Sequence, residues 1–166
     1  ADDGVYQVTV TVHDDNGGVG SSSFFVTVGT QNPIVSTPHG DQNILEGQTV
    51  GFADLATFTD AGFDNPLNTN PFTPPAVGDP LAESFTYDIN WGDGRDAITG
   101  MSIADINGGP GVLSSGTISG SHTYADDGVY QVTVTVHDDN GEAFSLLPQW
   151  VEMADHHQTV EHGHTA

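Results

Sequence analysis

Acidic side chains crowd several turn-forming stretches of this sequence, in groups that could hold a hard cation. Calcium takes roughly six to eight oxygen ligands from carboxylates, amides and main-chain carbonyls. Turns of the types Asp-Asp-Asn-Gly, Asp-Asp-Gly and Gly-Asp-Gly offer such oxygens. The candidate calcium ligands are Asp2, Asp3, Asp60, Asp64, Asp93, Asp126, Asp127, Asp138, Asp139 and Asn140. Two interpretations stay open here: calcium binding by these turns, or ordinary solvated turns on an acidic surface.

Histidines concentrate close to the C-terminus, where the stretch Asp155–His164 contains four of them. Imidazole is a ligand for zinc, nickel and copper, so this stretch could bind such a metal. Histidines on an unstructured chain end bind metal weakly, however, and chain ends are commonly unstructured. We therefore interpret residues 154–166 as a flexible, His-rich tail rather than a built metal site.

The sequence does not point to an enzyme. It contains no nucleophile elbow, no His-Glu-x-x-His pair and no Gly-rich phosphate loop. A carboxylate pair of the glycosidase kind would fall on turns, where Asp is favoured for local hydrogen bonding in any case. Arg95 is the single Lys or Arg side chain that could act as an electrophilic partner. We therefore predict a non-catalytic protein.

The charge balance restricts the class of partner. Twenty-three Asp and Glu residues face one basic residue, which gives a net charge of −22. A polyanion needs Lys and Arg to displace its counterions, so nucleic acid and anionic membrane surfaces are unsuitable partners, whereas divalent cations are suitable. No long apolar run is present, so no membrane insertion is expected in this segment. The absence of Cys excludes disulfides.

An internal repeat organises the chain, because Ala1–Gly17 and Ala125–Gly141 are identical over all seventeen residues. A repeat at this distance is typical of a string of independently folded domains. Each copy reads as a turn, an alternating strand and a second turn. In the second copy the strand is expected to point four apolar side chains inward, namely Tyr130, Val132, Val134 and Val136.

Most of the remaining sequence also predicts β-strands. A hairpin is expected over residues 1–28, followed by strands over 33–38, 48–59, 83–91, 95–106, 112–124 and 146–153. A bulge is expected at Ala53-Asp54, where the alternation changes phase, and a long surface loop over 60–82. No sustained helical period occurs. The chain is therefore predicted to be all-β, an antiparallel β-sandwich.

Three motifs resemble the signature of the PKD domain family: Asn-Trp-Gly-Asp-Gly at 90–94, Ser-His-Thr-Tyr at 121–124 and Gly-Val-Tyr-Gln-Val-Thr-Val-Thr-Val at 128–136. The resemblance implies an immunoglobulin-like sandwich over 30–153, preceded by a β-hairpin over 1–29 that belongs to an adjacent repeat. It also implies calcium binding in some members. The motif residues are expected to be structural: Trp91, Gly92, Asp93, Gly94, Tyr124, Gly128 and Tyr130.

In such a sandwich, alternate turns lie at opposite ends. Asp93 is therefore expected to share one end with Asp126 and Asp127. The opposite end is expected to hold Asp60, Asp64, Asp138, Asp139 and Asn140. At a junction between repeats, Asp2 and Asp3 would approach the turn at 138–140, and a cation would neutralise the like charges.

The predicted function is that of a structural and adhesive module in a secreted or cell-surface tandem-repeat protein, which provides spacing, stiffness and head-to-tail cohesion, with a filament as one form. The alternative is a carbohydrate- or protein-binding accessory domain of a secreted hydrolase, which an exposed row of aromatic side chains would favour. Cohesion is expected because the N-terminal strand has an apolar face without a cover in this chain. That face consists of Tyr6, Val8, Val10 and Val12, and the expected partner is another copy or repeat.

Overall fold

A computed structural model describes residues 4–64, 83–139, 143–145 and 149–154 of the chain. Every regular element in these ranges is a β-strand, as predicted. The strands are β1 (Gly4–His13), β2 (Val19–Val28), β3 (Ile34–Ser36), β4 (Gln42–Leu45), β5 (Thr49–Asp60), β6 (Phe85–Asn90), β7 (Ile98–Ser102), β8 (Asp105–Ile106), β9 (Ser114–Thr123), β10 (Gly128–Asp138), β11 (Ala143–Ser145) and β12 (Gln149–Ala154).

Ten of these strands form two sheets. The first has the order β4-β12-β10-β6-β7, with β11 also paired to β10, and the second has the order β3-β5-β9-β8. The core is shared between the sheets: Phe58 of β5 packs against Phe85 of β6 with ring centroids 4.6 Å apart. Facing sheets with apolar inner surfaces form a sandwich. The all-β, immunoglobulin-like prediction is therefore confirmed.

Strand β10 is the centre of the larger sheet. Its second half, Thr133–Asp138, pairs antiparallel with β6, and its first half, Gly128–Val132, pairs with β12. The predicted inward side chains Val132, Val134 and Val136 are 4%, 3% and 0% exposed. The expected in-and-out register of this strand is therefore confirmed.

The bulge in β5 is also confirmed, because its pairing with β9 shifts between Phe52 and Ala56. Leu55 and Ala56 are both buried although they are consecutive. A regular strand would turn one of them outward, so the extra residue keeps both in the core.

Two predictions about strands need correction. The single strand expected over 95–106 is divided between β7 in one sheet and β8 in the other. The chain crosses at Ile103, which is buried and donates its N–H to the Phe85 carbonyl at 3.0 Å. Short strands β4 and β11 were not predicted, and β4 pairs parallel with β12.

The N-terminal segment forms the expected hairpin, with β1 paired to β2 from Gly4↔Val28 to His13↔Val19. The two strands make a sheet of their own among the described residues. Directly opposed residues share a face, so the apolar residues of β1 lie beside Phe24 and Val26 of β2. This hairpin face is largely uncovered in the described part of the chain, because Val10, Val12 and Phe24 are 53%, 66% and 55% exposed.

Several expectations fall outside the described residues. They concern the candidate ligands Asp2, Asp3 and Asn140, the loop over 65–82 and the His-rich tail over 155–166. None of the described segments is a helix of the length and apolarity that crossing a membrane requires.

Candidate functional site: the two ends of the sandwich

The predicted motif residues meet at one end of the sandwich, around His122. This ring is 5% exposed, stacks on Trp91 at a centroid distance of 5.1 Å and meets Tyr124 edge-on at 4.6 Å. Its Nε2 lies 2.8 Å from Asp93 Oδ2. Asp93 also accepts the Arg95 N–H through Oδ1 at 2.9 Å. Both oxygens of this carboxylate are therefore hydrogen-bonded within the protein.

Two tyrosines fasten the same end to the backbone. The Tyr124 hydroxyl donates to the Trp91 carbonyl at 3.0 Å, and its ring stacks on Tyr130 at 4.5 Å. The Tyr130 hydroxyl donates to the Asp126 carbonyl at 3.1 Å, as expected for a tyrosine that reaches back to the chain. Burial, the charge of Asp93 and the neighbouring Tyr130 raise the pKa of Tyr124 above its usual range.

The glycine that follows Trp91 is required by close packing. Gly92 has φ of 87°, and a Cβ at this position would lie 2.5 Å from the Gln131 carbonyl oxygen of β10. Gly94 also has a positive φ, of 76°, but open space around its missing side chain. The first glycine therefore permits the contact between turn and strand, whereas the second serves the turn alone.

Hydrogen bonding sets the charge state of Asp93. Burial raises the pKa of its carboxyl group, but the hydrogen bonds from Arg95 and His122 and the charge of His122 outweigh this effect and hold the pKa below its usual value. Asp126 and Asp127 are exposed. The contacts at the motif end therefore have a structural role. Calcium binding by Asp93, Asp126 and Asp127 stays a prediction.

At the opposite end the core terminates in carboxylates. We call Asp60, Glu83, Asp138 and Asp139 the carboxylate cluster. Its members are close enough for the charges of the three aspartates to act on Glu83. Asp60, Asp138 and Asp139 thus all act on Glu83, and a shared cation site among them stays a prediction. Asp64 has an exposed side chain, and its N–H donates to Asn107 Oδ1 at 2.8 Å.

Glu83 is the member of the cluster that sequence reasoning missed. A Cβ built on Gly62 would overlap its carboxylate and lie 3.0 Å from Asp60 Oδ1, so the absent Gly62 side chain leaves room where the two acids approach. The alternation of inward and outward side chains along the strand could have identified Glu83. Glu83 lies two residues before the inward-facing Phe85, and a period of two places it on the same side.

Repulsion and burial change the charge state of Glu83. Burial and the charges of Asp139, Asp60 and Asp138 raise its pKa to about 8. At neutral pH the Glu83 carboxyl therefore carries a proton for much of the time. Burial also raises the pKa of Asp60, although hydrogen bonds from the Gly62 and Ala61 backbone oppose the rise.

The described surface of the sandwich carries a cleft and exposed aromatic side chains. A cleft of about 420 Å³ on the β3-β5-β9-β8 sheet is lined by apolar and hydroxyl side chains such as Ile106, Thr57 and Ser115, with no titratable group. In the described sandwich the exposed aromatic residues Phe144 and Trp150 pair opposite Val136 and Gln131. Val136 and Gln131 point to opposite faces of β10, so these aromatics do not form a row.

Comparisons with known proteins agree with the fold. Residues 99–150 match the family model He_PIG, described as "Putative Ig domain". Among solved structures, the chain is similar to the PKD domain of an M14-like peptidase from a Thermoplasmatales archaeon, with 23% identity, a TM-score of 0.41, and coverage of 75% of this chain and 94% of that one. The comparison with curated proteins produced no match.

The sheet topology and the family match over residues 99–150 both indicate an immunoglobulin-like sandwich. The chain therefore contains an immunoglobulin-like β-sandwich domain, and its motif residues resemble those of PKD domains.

Proposed function

We propose that this chain is a non-catalytic structural module of a secreted or cell-surface tandem-repeat protein. It provides spacing and stiffness, and its N-terminal hairpin provides head-to-tail cohesion with a sandwich of the same design. The observation that carries the proposal is the contrast between two identical strands. Strand β10 is buried in the core, whereas β1, with the same sequence, has a largely exposed apolar face.

The contrast can be followed residue by residue. Val8, Val10 and Val12 correspond to Val132, Val134 and Val136 in the repeat. Their exposed fractions are 38%, 53% and 66%, against 4%, 3% and 0% for the buried copies. Full burial of a Val side chain stabilises by about 1.5 kcal/mol or more. Burial of the hairpin face by a partner would therefore contribute a favourable free energy that is absent while the face is exposed.

The buried copy indicates what kind of surface covers this sequence. In β10 one edge of the strand pairs with β6, and the inward face lies on the core shared by the two sheets. Strand β1 presents the same donors, acceptors and apolar side chains. A sandwich of the same design, from a neighbouring repeat or a second copy, is therefore the occupant we expect. Contacts between the hairpin of one unit and the sandwich of the next are heterologous, and heterologous contacts that do not close extend into rows.

Sedimentation of the full chain tests this proposal. We expect a concentration-dependent increase in mass for the full chain. The double variant Val10→Thr with Val12→Thr should shift this association to higher concentration, because each change replaces a methyl group by a hydroxyl at nearly constant shape. The matched control, Thr9→Ser with Thr11→Ser, alters the other face of the same strand and should associate like the parent.

A second experiment tests whether the sandwich that accepts the hairpin belongs to a second copy of this chain or to a neighbouring repeat. The core residues all lie between Val35 and Val151, so a chain that begins at Thr30 retains the whole sandwich and should be folded and monomeric. If the isolated hairpin peptide binds this shortened chain, the acceptor is a second copy. A full chain that stays monomeric at all concentrations, with its hairpin amides unprotected in hydrogen exchange, would overturn the cohesion proposal.

A further inference from the structure

The surface that accepts the hairpin of another copy must lie outside the core of the sandwich. Strand β10 already occupies the place of the repeated sequence, between β12 and β6 in the larger sheet. Its inward side chains are enclosed by the closely packed core, which leaves no space for a second copy of the same strand. Pairing at a sheet edge alone would leave the apolar hairpin face in water. The acceptor is therefore an outer face of one of the two sheets.

The outer faces of the two sheets differ in charge. Asp88 of β6 and Glu152 of β12 lie on the outward side of the larger sheet, opposite Thr135 and Val129 of β10. On the smaller sheet, the cleft of about 420 Å³ is lined by apolar and hydroxyl side chains and by no titratable group of the described residues. The hairpin face is also uncharged and presents Val8, Val10, Val12, Phe24 and Val26. In a chain with a net charge of −22, two copies meet with least repulsion where both surfaces carry no charge.

The cleft has the width of a two-stranded hairpin. One row of paired residues crosses the smaller sheet from β3 to β8, in the order Ile34, Thr59, Ser115 and Ile106. The two short side chains form the floor, and the two isoleucines stand at the edges, where they are 62% and 72% exposed. Neighbouring strands lie about 4.8 Å apart, so the two edge strands are about 14 Å apart. A ribbon of two strands fits between the isoleucines.

The floor of the cleft can be covered without loss of an internal hydrogen bond. In the next row, the hydroxyl groups of Ser36 and Thr57 lie 3.0 Å apart and satisfy each other. A covering surface that is apolar therefore leaves this pair intact. The methyl groups of Thr57, Thr59 and Thr117 and the exposed isoleucines add apolar area, whose burial favours association.

We propose that this cleft accepts the hairpin of a second copy, which lies across the smaller sheet with Val8, Val10 and Phe24 on the floor. The inference rests on the cohesion proposed above and assigns its acceptor surface. Two sheet faces then pack on each other as they do within a sandwich, and the hairpin forms a third layer. Donor and acceptor surfaces are different parts of the chain, so each copy can receive one hairpin and donate its own.

Sedimentation of cleft variants of the full chain tests the assignment. Thr117→Asp puts a carboxylate on the floor, where the hairpin would bury it unpaired, and should raise the concentration needed for association by about tenfold or more. Thr133→Asp is the matched control. It adds the same charge to the outward side of the larger sheet and should associate like the parent. Ile34→Thr with Ile106→Thr lowers both walls of the cleft without adding charge, and should also shift association to higher concentration.

A mixture of two variants tests whether hairpin and cleft are partners. The first is the hairpin variant Val10→Thr with Val12→Thr, and the second is Thr117→Asp, each at a concentration at which it is monomeric alone. The intact hairpin of the second can occupy the intact cleft of the first, so the mixture should form dimers and no longer rows. Sodium chloride should strengthen association of the parent, because it screens the repulsion between two acidic chains.

The outcomes separate this inference from the cohesion proposal. A parent chain that stays monomeric at all concentrations would overturn both. A parent that associates while Thr117→Asp and the isoleucine variant associate equally well would overturn the cleft alone. The cleft is also excluded as the acceptor if the mixture of the two variants stays monomeric, since each would then lack more than its own half of the contact. Thermal unfolding confirms that each variant has kept its fold.

Discussion

The same substitution can be made in β1 and in β10, where the local sequence is identical. Val134 is 3% exposed in β10, and Val10 is 53% exposed in β1. The seventeen residues around each are the same. Alanine has a lower strand propensity than valine, and this loss is common to both positions. The difference between Val134→Ala and Val10→Ala therefore isolates the contribution of burial.

The magnitude follows from the packing. Val→Ala removes two methyl groups, each worth about 0.8 kcal/mol when buried. Val134 contributes to the closed core between the sheets, so a cavity term adds to the transfer term, and we expect a total loss of about 2 to 3 kcal/mol. Val10 lies on the hairpin, outside this core. Its replacement should change the free energy of unfolding of the sandwich by less than about 0.5 kcal/mol.

Urea unfolding followed by tryptophan fluorescence provides the assay, because Trp91 lies in the core and reports on the sandwich. The Val134→Ala midpoint should fall with an unchanged m-value, whereas the Val10→Ala midpoint should match that of the parent. The urea unfolding should be measured at protein concentrations below those at which the chain associates. Equal losses at both positions would refute the reasoning, since they would make the hairpin part of the same cooperative unit as the core.

Two predictions concern the motif end. Asp93 has a folded pKa held below the unfolded value of 3.8, so its ionised form contributes stability above about pH 4 that is lost as the pH falls through the folded pKa. Asp93→Asn should therefore lower the Tm at neutral pH and flatten the fall in Tm between about pH 5 and pH 2, and an unchanged acid profile would contradict this assignment. Gly92→Ala should lower the free energy of unfolding by about 1 to 3 kcal/mol more than Gly94→Ala, because its Cβ meets the Gln131 backbone whereas that of Gly94 meets open space. Equal losses in urea unfolding would show that positive φ alone decides the cost.

The alternation of apolar and polar side chains was sufficient to predict the local features of the strands. The alternation in 128–136 correctly assigned the inward side of β10, and the change of phase at Ala53-Asp54 correctly placed the bulge of β5. Both features follow from the period of two between side chains and sheet faces. Trp91 and Gly92 were expected to be structural, and the close approach of Gly92 to the Gln131 backbone is the physical reason for a glycine there.

Features that depend on distant partners could not be predicted in this way. Strand β4 is four residues long and pairs parallel with β12, which lies near the other end of the chain. Nothing in Gln42–Leu45 signals that pairing, because parallel partners are set by chain topology rather than by a local turn. The division of 95–106 between two sheets similarly depends on where Ile103 enters the core. Glu83 was missed because acidic ligands were expected in turns. It lies instead just before a strand, on the same side as the inward-facing Phe85.

The two ends of the sandwich show why equal acidity need not mean equal chemistry. The motif end gives its buried carboxylate, Asp93, a histidine ring and a backbone N–H, so the negative charge is stabilised by the protein itself. At the opposite end Asp60 receives a backbone N–H on one oxygen, and its other oxygen has no hydrogen-bond partner among the described residues. With one Arg and no Lys, histidine is the main source of cationic side chains in this sequence. Burial and the acids of this end therefore raise the pKa of Glu83, whereas hydrogen bonds lower the pKa of Asp93 at the motif end.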